Sequence, residues 1–276
     1  KDLEMDNLAA AAYPVVTTVG VKNNVGTNGE DAVTQDTGRV FVPKTPELFS
    51  YDADGNMLSD GRCLYQWDAE NRLIGVEKRV RVATRDWIKA LYRYDYMGRR
   101  IGKTLYGWKG NGWAADPYMD VAFIYDGWNV ICESVKELKV TGGGGGGGGQ
   151  GGGKGKGKPP QEEQQTVLAT STNFYCWGLD LSGSLQGAGG IGGLLSAVLP
   201  NPANSLQPTA CFYTYCANGN VSELVGSTNG TILAHYEYSP VGAVVTEVGS
   251  LAGENRWRFS TKYWDGESGL GYWGYR

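Results

Sequence analysis

Apolar and polar positions alternate along most of the chain, in short runs that end on an aromatic residue and a turn. Leu91-Tyr92-Arg93-Tyr94 is one such run, and a period of two predicts a strand with one buried face. Aligning the aromatics brings out a repeat. Tyr51-Asp52-Ala53-Asp54-Gly55-Asn56 is one copy and Trp67-Asp68-Ala69-Glu70-Asn71-Arg72 a second. Tyr94-Asp95-Tyr96-Met97-Gly98-Arg99 is a third and Tyr125-Asp126-Gly127-Trp128-Asn129 a shortened fourth. Degenerate copies follow at 215–221 and 238–242. In each full copy the aspartate can accept local backbone N–H groups, and Gly55, Asn71 or Gly98 three positions on tolerates the positive φ of a tight hairpin. The pattern predicts an all-β fold: a long antiparallel hairpin meander with aromatics laddered on one face. Helical periodicity is nearly absent, and 193–199 is read as one short helical turn.

Composition adds one feature. Glycine supplies 43 of the 276 residues, about twice the usual share. Thirteen of them fall in 141–165, TGGGGGGGGQGGGKGKGKPPQEEQQ. Such a stretch cannot repay the entropy of ordering. Because the repeat resumes on both sides, it is read as a disordered hairpin loop rather than a linker. Four regions result: an N-terminal extension 1–46, the repeats 47–140, the Gly/Lys-rich loop 141–165, and 166–276. The 25 basic and 29 acidic residues, net −4, leave no electrostatic footprint for nucleic acid or an acidic membrane surface. No apolar run approaches the roughly 18–20 residues of a membrane span. The chain begins at Lys1 without a signal peptide, which reads as a processed or cropped product.

Candidate chemistry is sparse. Cys63, Cys132, Cys176, Cys211 and Cys216 form no C-x-x-C, and His235 is the one histidine, so neither a metal site nor a cofactor is expected. His235 lies in an alternating stretch and reads as a cross-strand or solvent-facing residue. Gly187-Ala188-Gly189-Gly190-Ile191-Gly192 matches G-x-G-x-x-G, but Pro200 and Pro202 cut any following helix and the next acid is Glu223, so a dinucleotide site is rejected. Asp52, Asp68, Asp95 and Asp126 have structural positions in turns, so no catalytic residue is assigned.

The repeat units resemble the YD repeats of the RHS family, which includes bacterial polymorphic toxins, Tc toxin cocoon subunits and teneurins. Trp177-Gly178-Leu179-Asp180-Leu181-Ser182-Gly183-Ser184-Leu185-Gln186-Gly187-Ala188-Gly189-Gly190-Ile191-Gly192-Gly193 is similar to the RHS-associated core, and 258–276 fits it as well. The resemblance covers 47–276. It implies a spiralled β-sheet shell, with the core region closing one end and, in many members, a toxin held inside. No cleavage site or toxin domain can be carried over onto these residues.

Two further readings follow from the residues. Six or so repeats are too few to enclose a protein, and a short β-strip leaves unpaired edges. With the β-branched runs of 1–46 as an added or donated strand, the expectation is a non-enzymatic, secreted structural protein that self-assembles through its strand edges into an extracellular fibre. The first alternative is the shell part of a toxin cocoon around a passenger. The second is a module binding a cell-surface glycan through Trp108, Trp113 and Trp128, which are otherwise ladder residues.

Overall fold

The computed structural model describes residues 6–274 apart from 13, 26–28, 41, 79–86, 142–163 and 202–206. Strands dominate it, as the alternation predicts. β1 (Val15–Lys22) and β2 (Ala32–Arg39) form a separate two-stranded hairpin. β3 (Ser50–Tyr51), β4 (Met57–Ser59), β5 (Cys63–Trp67), β6 (Leu73–Lys78), β7 (Ile88–Tyr94) and β8 (Arg100–Gly107) open a second sheet. It continues through β9 (Met119–Asp126), β10 (Asn129–Thr141), β11 (Gln164–Trp177) and β12 (Leu194–Leu199). β13 (Thr209–Tyr215), β14 (Val221–Gly226), β15 (Ile232–Tyr238) and β16 (Val244–Val248) complete it. These 14 strands lie side by side in chain order. A small hairpin, β17 (Tyr263–Asp265) and β18 (Leu270–Tyr272), follows.

The repeat is a length rule as much as a residue rule. Tyr51 pairs with Met57, Trp67 with Leu73, Tyr94 with Arg100, Tyr215 with Val221 and Tyr238 with Val244, each leaving five residues in the turn. In every case the register shifts by one just before the aromatic, a β-bulge that bends the strand and re-aims the side chain. The first turn residue donates its N–H to the carbonyl of the fifth at 2.8–3.0 Å, and the fourth donates back to the first. The fourth residue has positive φ: Gly55 82°, Asn71 59°, Gly98 80°, Gly219 73° and Gly242 84°. The aspartates lock the loop. Asp95 Oδ1 accepts the N–H groups of Met97 and Arg99, both at 2.9 Å, and its Oδ2 binds Arg99 Nε at 2.7 Å. Asp52 and Asp68 repeat the pattern on Asp54/Asn56 and Glu70/Arg72.

Five of the aromatics then reach sideways. Trp67 Nε1 donates to Met57 O (2.8 Å), Tyr94 OH to Leu73 O (2.7 Å), Tyr125 OH to Arg100 O (2.9 Å) and Trp177 Nε1 to Val130 O (2.7 Å), and Tyr215 OH does the same to Leu194 O. The acceptor is always at the start of the preceding copy's return strand. Two residues earlier, on the same face, a second series is buried: Tyr65, Tyr92, Phe123, Tyr175, Tyr213 and Tyr236.

Two expectations need revision. The stretch read as a helical turn, 193–199, is mostly β12. Pairing of Ala197 with both Tyr175 and Cys211 overrides local propensity and buries Leu194 and Leu199 completely. Asp126 does not head a five-residue turn. It pairs with Asn129 across a two-residue hairpin of Gly127 and Trp128, too short to bring a fifth-residue amide to its carboxylate. Separately from these, β1 and β2 of the N-terminal region pair with each other in a sheet of their own. The Gly/Lys-rich loop falls almost wholly outside the described residues; its flanks, Thr141 and Gln164, are partners in the β10–β11 hairpin. All five cysteines are free.

Asp95→Ala removes the acceptor of two turn amides and the partner of Arg99. It is expected to lower stability by about 1–3 kcal/mol in urea unfolding, and Gly98→Val, which forces a branched residue to positive φ, by a similar amount.

Candidate functional site

The glycine-rich core motif is an enlarged version of the same turn. Trp177 pairs with Leu194 after the usual register shift, but sixteen residues separate them. The 178–193 insertion is closed at its base by Gly178 N–H donating to Gly193 O (2.8 Å). Within it Asp180 heads a nested five-residue turn, with Gly183 at φ 76° and Asp180 N–H to Ser184 O at 2.7 Å. Oδ1 of Asp180 accepts Ser182 N–H (2.9 Å) and Ser182 Oγ–H (2.6 Å), while Oδ2 accepts the N–H groups of Ala188 (2.7 Å) and Gly190 (3.1 Å). Burial alone would raise this carboxyl's pKa, but the Ser182 hydroxyl and the backbone amides outweigh it and hold it at about 2. The core positions Gly178, Asp180, Gly183, Gly187, Gly189, Gly190, Gly192 and Gly193 therefore share one loop organised by one carboxylate. Gly190 is needed for close approach: a Cβ there would lie 3.2 Å from both Asn129 Oδ1 and the Trp177 ring.

The repeat-turn positions are brought side by side instead. Asn56 Nδ2 donates to Asn71 Oδ1 at 2.7 Å, the Arg72 guanidinium lies 5.4 Å from the centre of the Tyr94 ring, and that of Arg99 lies 5.2 Å from Tyr125. Tyr51 is exposed. Trp67, Tyr94 and Tyr125 are the ladder residues described above.

The groups with unusual electrostatics lie elsewhere, where the segment 249–274 crosses the aromatic face as a strap. Asp265 is buried and takes Arg100 Nη1 at 2.5 Å and Lys103 Nζ at 3.0 Å; Lys103 also meets Glu267 at 2.7 Å. Burial disfavours the Asp265 anion, but the two cations prevail and keep its pKa below the ordinary value. The Arg100 guanidinium is enclosed by aromatic rings, 4.2 Å from the centre of Tyr272 and 4.8 Å from Tyr92. Glu133, 2% exposed, accepts Asn173 Nδ2 and Tyr175 OH, each at 2.8 Å, and the Tyr263 hydroxyl. Asn255, fully buried, joins Tyr213 OH (2.8 Å) to Trp257 O (2.6 Å). Arg258 grips Glu247 with two hydrogen bonds, 2.9 and 2.6 Å.

Arg258, Tyr263, Asp265, Glu267 and Tyr272 lie in the 258–276 stretch that resembles the core, but none of the residues in this cluster is a candidate site position read from the sequence. A signal existed for Glu133: it occupies the inward phase of β10, opposite Phe123. Between strap and sheet lies a cavity of about 550 Å³ lined in part by Lys103, Glu133, Asn173, Arg256 and Glu267. Among the described residues no three His, Cys, Asp or Glu side chains are placed to hold a metal ion. His235 sits opposite Glu223 in the β14–β15 pair, 3.5 Å from it.

No family model matches the chain. The tRNA3(Ser)-specific nuclease WapA of Bacillus spizizenii is 29% identical over 229 residues, covering 82% of this chain. The tRNA(Glu)-specific nuclease WapA of Bacillus subtilis subsp. natto is likewise 29% identical over 229 residues, and the tRNA nuclease WapA of Bacillus subtilis 28%. The chain spans 7% of the length of each of these curated relatives. Among solved structures, TcdB2-TccC3-Cdc42 superposes with a TM-score of 0.53 at 13% identity, and TcdB2-TccC3 without its hypervariable C-terminal region with 0.50 at 14%. Each match covers 96% of this chain and 13% of the other, a likeness of fold.

The relatives correct the functional expectation. A non-enzymatic, self-assembling fibre conflicts with relatives each named as a nuclease. The absence of a catalytic constellation from a stretch that matches 7% of each relative carries no weight against enzymatic activity in proteins of that length. No helix among the described residues is long and apolar enough to cross a membrane.

Asp265→Asn leaves two buried cations short of their anion and is expected to cost about 3–5 kcal/mol in urea unfolding. It should also open the strap 249–274 to limited proteolysis, with partial recovery when Arg100→Met and Lys103→Met are added. For Asp180, folded at about 2 against an unfolded value of about 3.9, the stabilising contribution is complete above about pH 4 and disappears as pH falls toward 2. Carboxyl NMR titration should place its midpoint near 2, and Asp180→Asn should remove that acid-sensitive contribution.

Proposed function

We propose that the chain is a wall segment of a larger RHS-type toxin: the part of a β-shell at which the core loop and strap meet the repeats, in a protein that acts on tRNA. Residues 47–140 supply YD-repeat wall, 166–276 the core region, and the shell surrounds a toxic passenger. The observation that carries this reading is the sequential 14-stranded meander in which five turns share one geometry. A sheet extended by adding identical copies can be lengthened until it encloses a volume, as repeat architectures allow. The fold likeness to TcdB2-TccC3 supports it.

The relatives also bear on how the work is divided. A 229-residue stretch covering 82% of the chain is matched at 29% identity in both a tRNA3(Ser)-specific and a tRNA(Glu)-specific nuclease. A stretch shared by proteins of different specificity serves what they have in common, which favours wall over tRNA selection. A secreted or cell-surface location fits a toxin whose shell keeps its passenger from the producing cell.

Electron cryo-microscopy of the whole gene product that contains this chain is the test. The expected result is that β3 and β16 each pair with further strands of one sheet around an enclosed volume. Free edges at both strands would overturn the shell reading. Cleavage of tRNA by the same preparation is expected, and intact tRNA would remove the nuclease assignment while leaving the wall in place.

A further inference from the structure

A second cavity, of about 310 Å³, is built from three remote pieces of the sequence. The two-residue hairpin contributes Trp128 and Asn129, the core loop Trp177, Gln186 and Gly189, and the strap Trp257, Lys262, Tyr272 and Trp273. Its depth is aromatic: Trp257 is 6% exposed, and its ring stands edge-on to Trp177 with centres 5.0 Å apart. Trp273, half exposed, forms part of the lining near the entrance. Besides the hydroxyls of Tyr125, Thr261 and Tyr272, the polar side chains are the amides of Asn129 and Gln186, which hydrogen-bond each other, and the Lys262 ammonium, which donates to Gly189 O at 2.6 Å.

The geometry points to a binding site for a neutral sugar, one or two pyranose rings in size. A pyranose presents an apolar C–H face that packs on the electron-rich face of an indole, while its edge carries hydroxyls that both donate and accept. The cavity answers both halves, with rings on the walls and amides that donate through N–H and accept through C=O. Its volume falls at the small end of the range for ligand pockets.

Other ligand classes fit less well. No carboxylate lines the cavity, and the Lys262 ammonium lies 5.5 Å from the Trp273 ring centre, so the cation-attracting face of that ring is already engaged and a second cation would be repelled. Nucleic acid needs several cations along a phosphate track, whereas Lys262 is the one basic residue of the lining. A purely apolar ligand would leave without partners those amide groups of Asn129 and Gln186 that their mutual hydrogen bond does not use.

The site also accounts for the shortened fourth copy. A five-residue turn at Tyr125 would carry the chain away; the two-residue hairpin puts Trp128 and Asn129 against the core loop, and Gly190, without a Cβ, lets that loop close on Asn129 and Trp177.

This inference is independent of the shell reading, and failure of one leaves the other standing. The test is titration of the purified chain with cellobiose, maltose, lactose and N,N′-diacetylchitobiose, followed by tryptophan fluorescence and calorimetry. At least one is expected to bind saturably at one site per chain. Trp273→Ala, at a half-exposed position that should not disturb folding, and Trp128→Ala are expected to weaken binding at least tenfold. The remote Lys89→Ala should leave it unchanged, and near-UV circular dichroism verifies the fold of each variant. No binding by any of the four at about 10 mM, beyond the weakest useful affinities, overturns the proposal. So does binding that both tryptophan variants leave intact, or binding of uridine monophosphate in place of every sugar.

Discussion

The structure depends on a turn of fixed length. Five residues between a bulged aromatic and its partner, closed by one backbone hydrogen bond in each direction, determine where the chain re-enters the sheet. They also determine where the aromatic points. A one-residue slip in the pairing that this turn closes would make the return strand present its other face, since side chains alternate with period two. The turn aspartate secures that count by satisfying amides that the bend would otherwise leave unpaired. The aromatic then spends its polar tip on the preceding copy's carbonyl, as Tyr94 does on Leu73. Each copy therefore fixes its own geometry and its neighbour's position together.

A single sheet still has to cover its aromatic face. Part of the cover is the strap, and what fastens it is charge as much as apolar contact. Two apolar clusters meet near Arg100 and Lys103, one around Tyr65 and Tyr92, the other around Phe123 and Tyr213. Asp265 comes down on both cations there, and Glu133 receives the Tyr263 hydroxyl. Buried ion pairs add little net stability against an apolar alternative, but they are costly to leave unpaired. An arrangement of this kind penalises every misplaced register of the strap, which purely apolar packing would tolerate.

This division explains what was legible in the sequence. Hairpins, turns and the aromatic ladder are local: Tyr94-Asp95-x-x-Gly98 contains its own instructions, and so the all-β class and the meander could be read directly. β12 could not, because Leu194 and Leu199 become strand residues by pairing with β11 and β13. The ion cluster was hidden for a related reason. Arg100 and Asp265 are 165 residues apart, and neither carries a local mark of its partner. Asp126 matched the motif by residue type but lacked the spacing, which shows that loop length outranks residue identity in this repeat.

The turn rule also explains how the fold makes room for something new. Every aromatic-turn junction is closed at its base whatever lies beyond, because the closing bonds involve strand ends. The sixteen residues between Trp177 and Leu194 exploit this: Gly178 bonds Gly193 across the base, Trp177 still reaches Val130, and the ladder passes the insertion undisturbed. A loop inserted at such a junction is thus free to acquire its own organisation, here around Asp180, without altering the sheet. Tyr238 marks the limit of the rule. Its hydroxyl is buried without a partner, and Phe259 of the strap packs against its ring with centres 5.7 Å apart. There the strap takes over the face that another copy's contacts would otherwise define, so the ladder gives way to the strap at the last YD turn of the sheet.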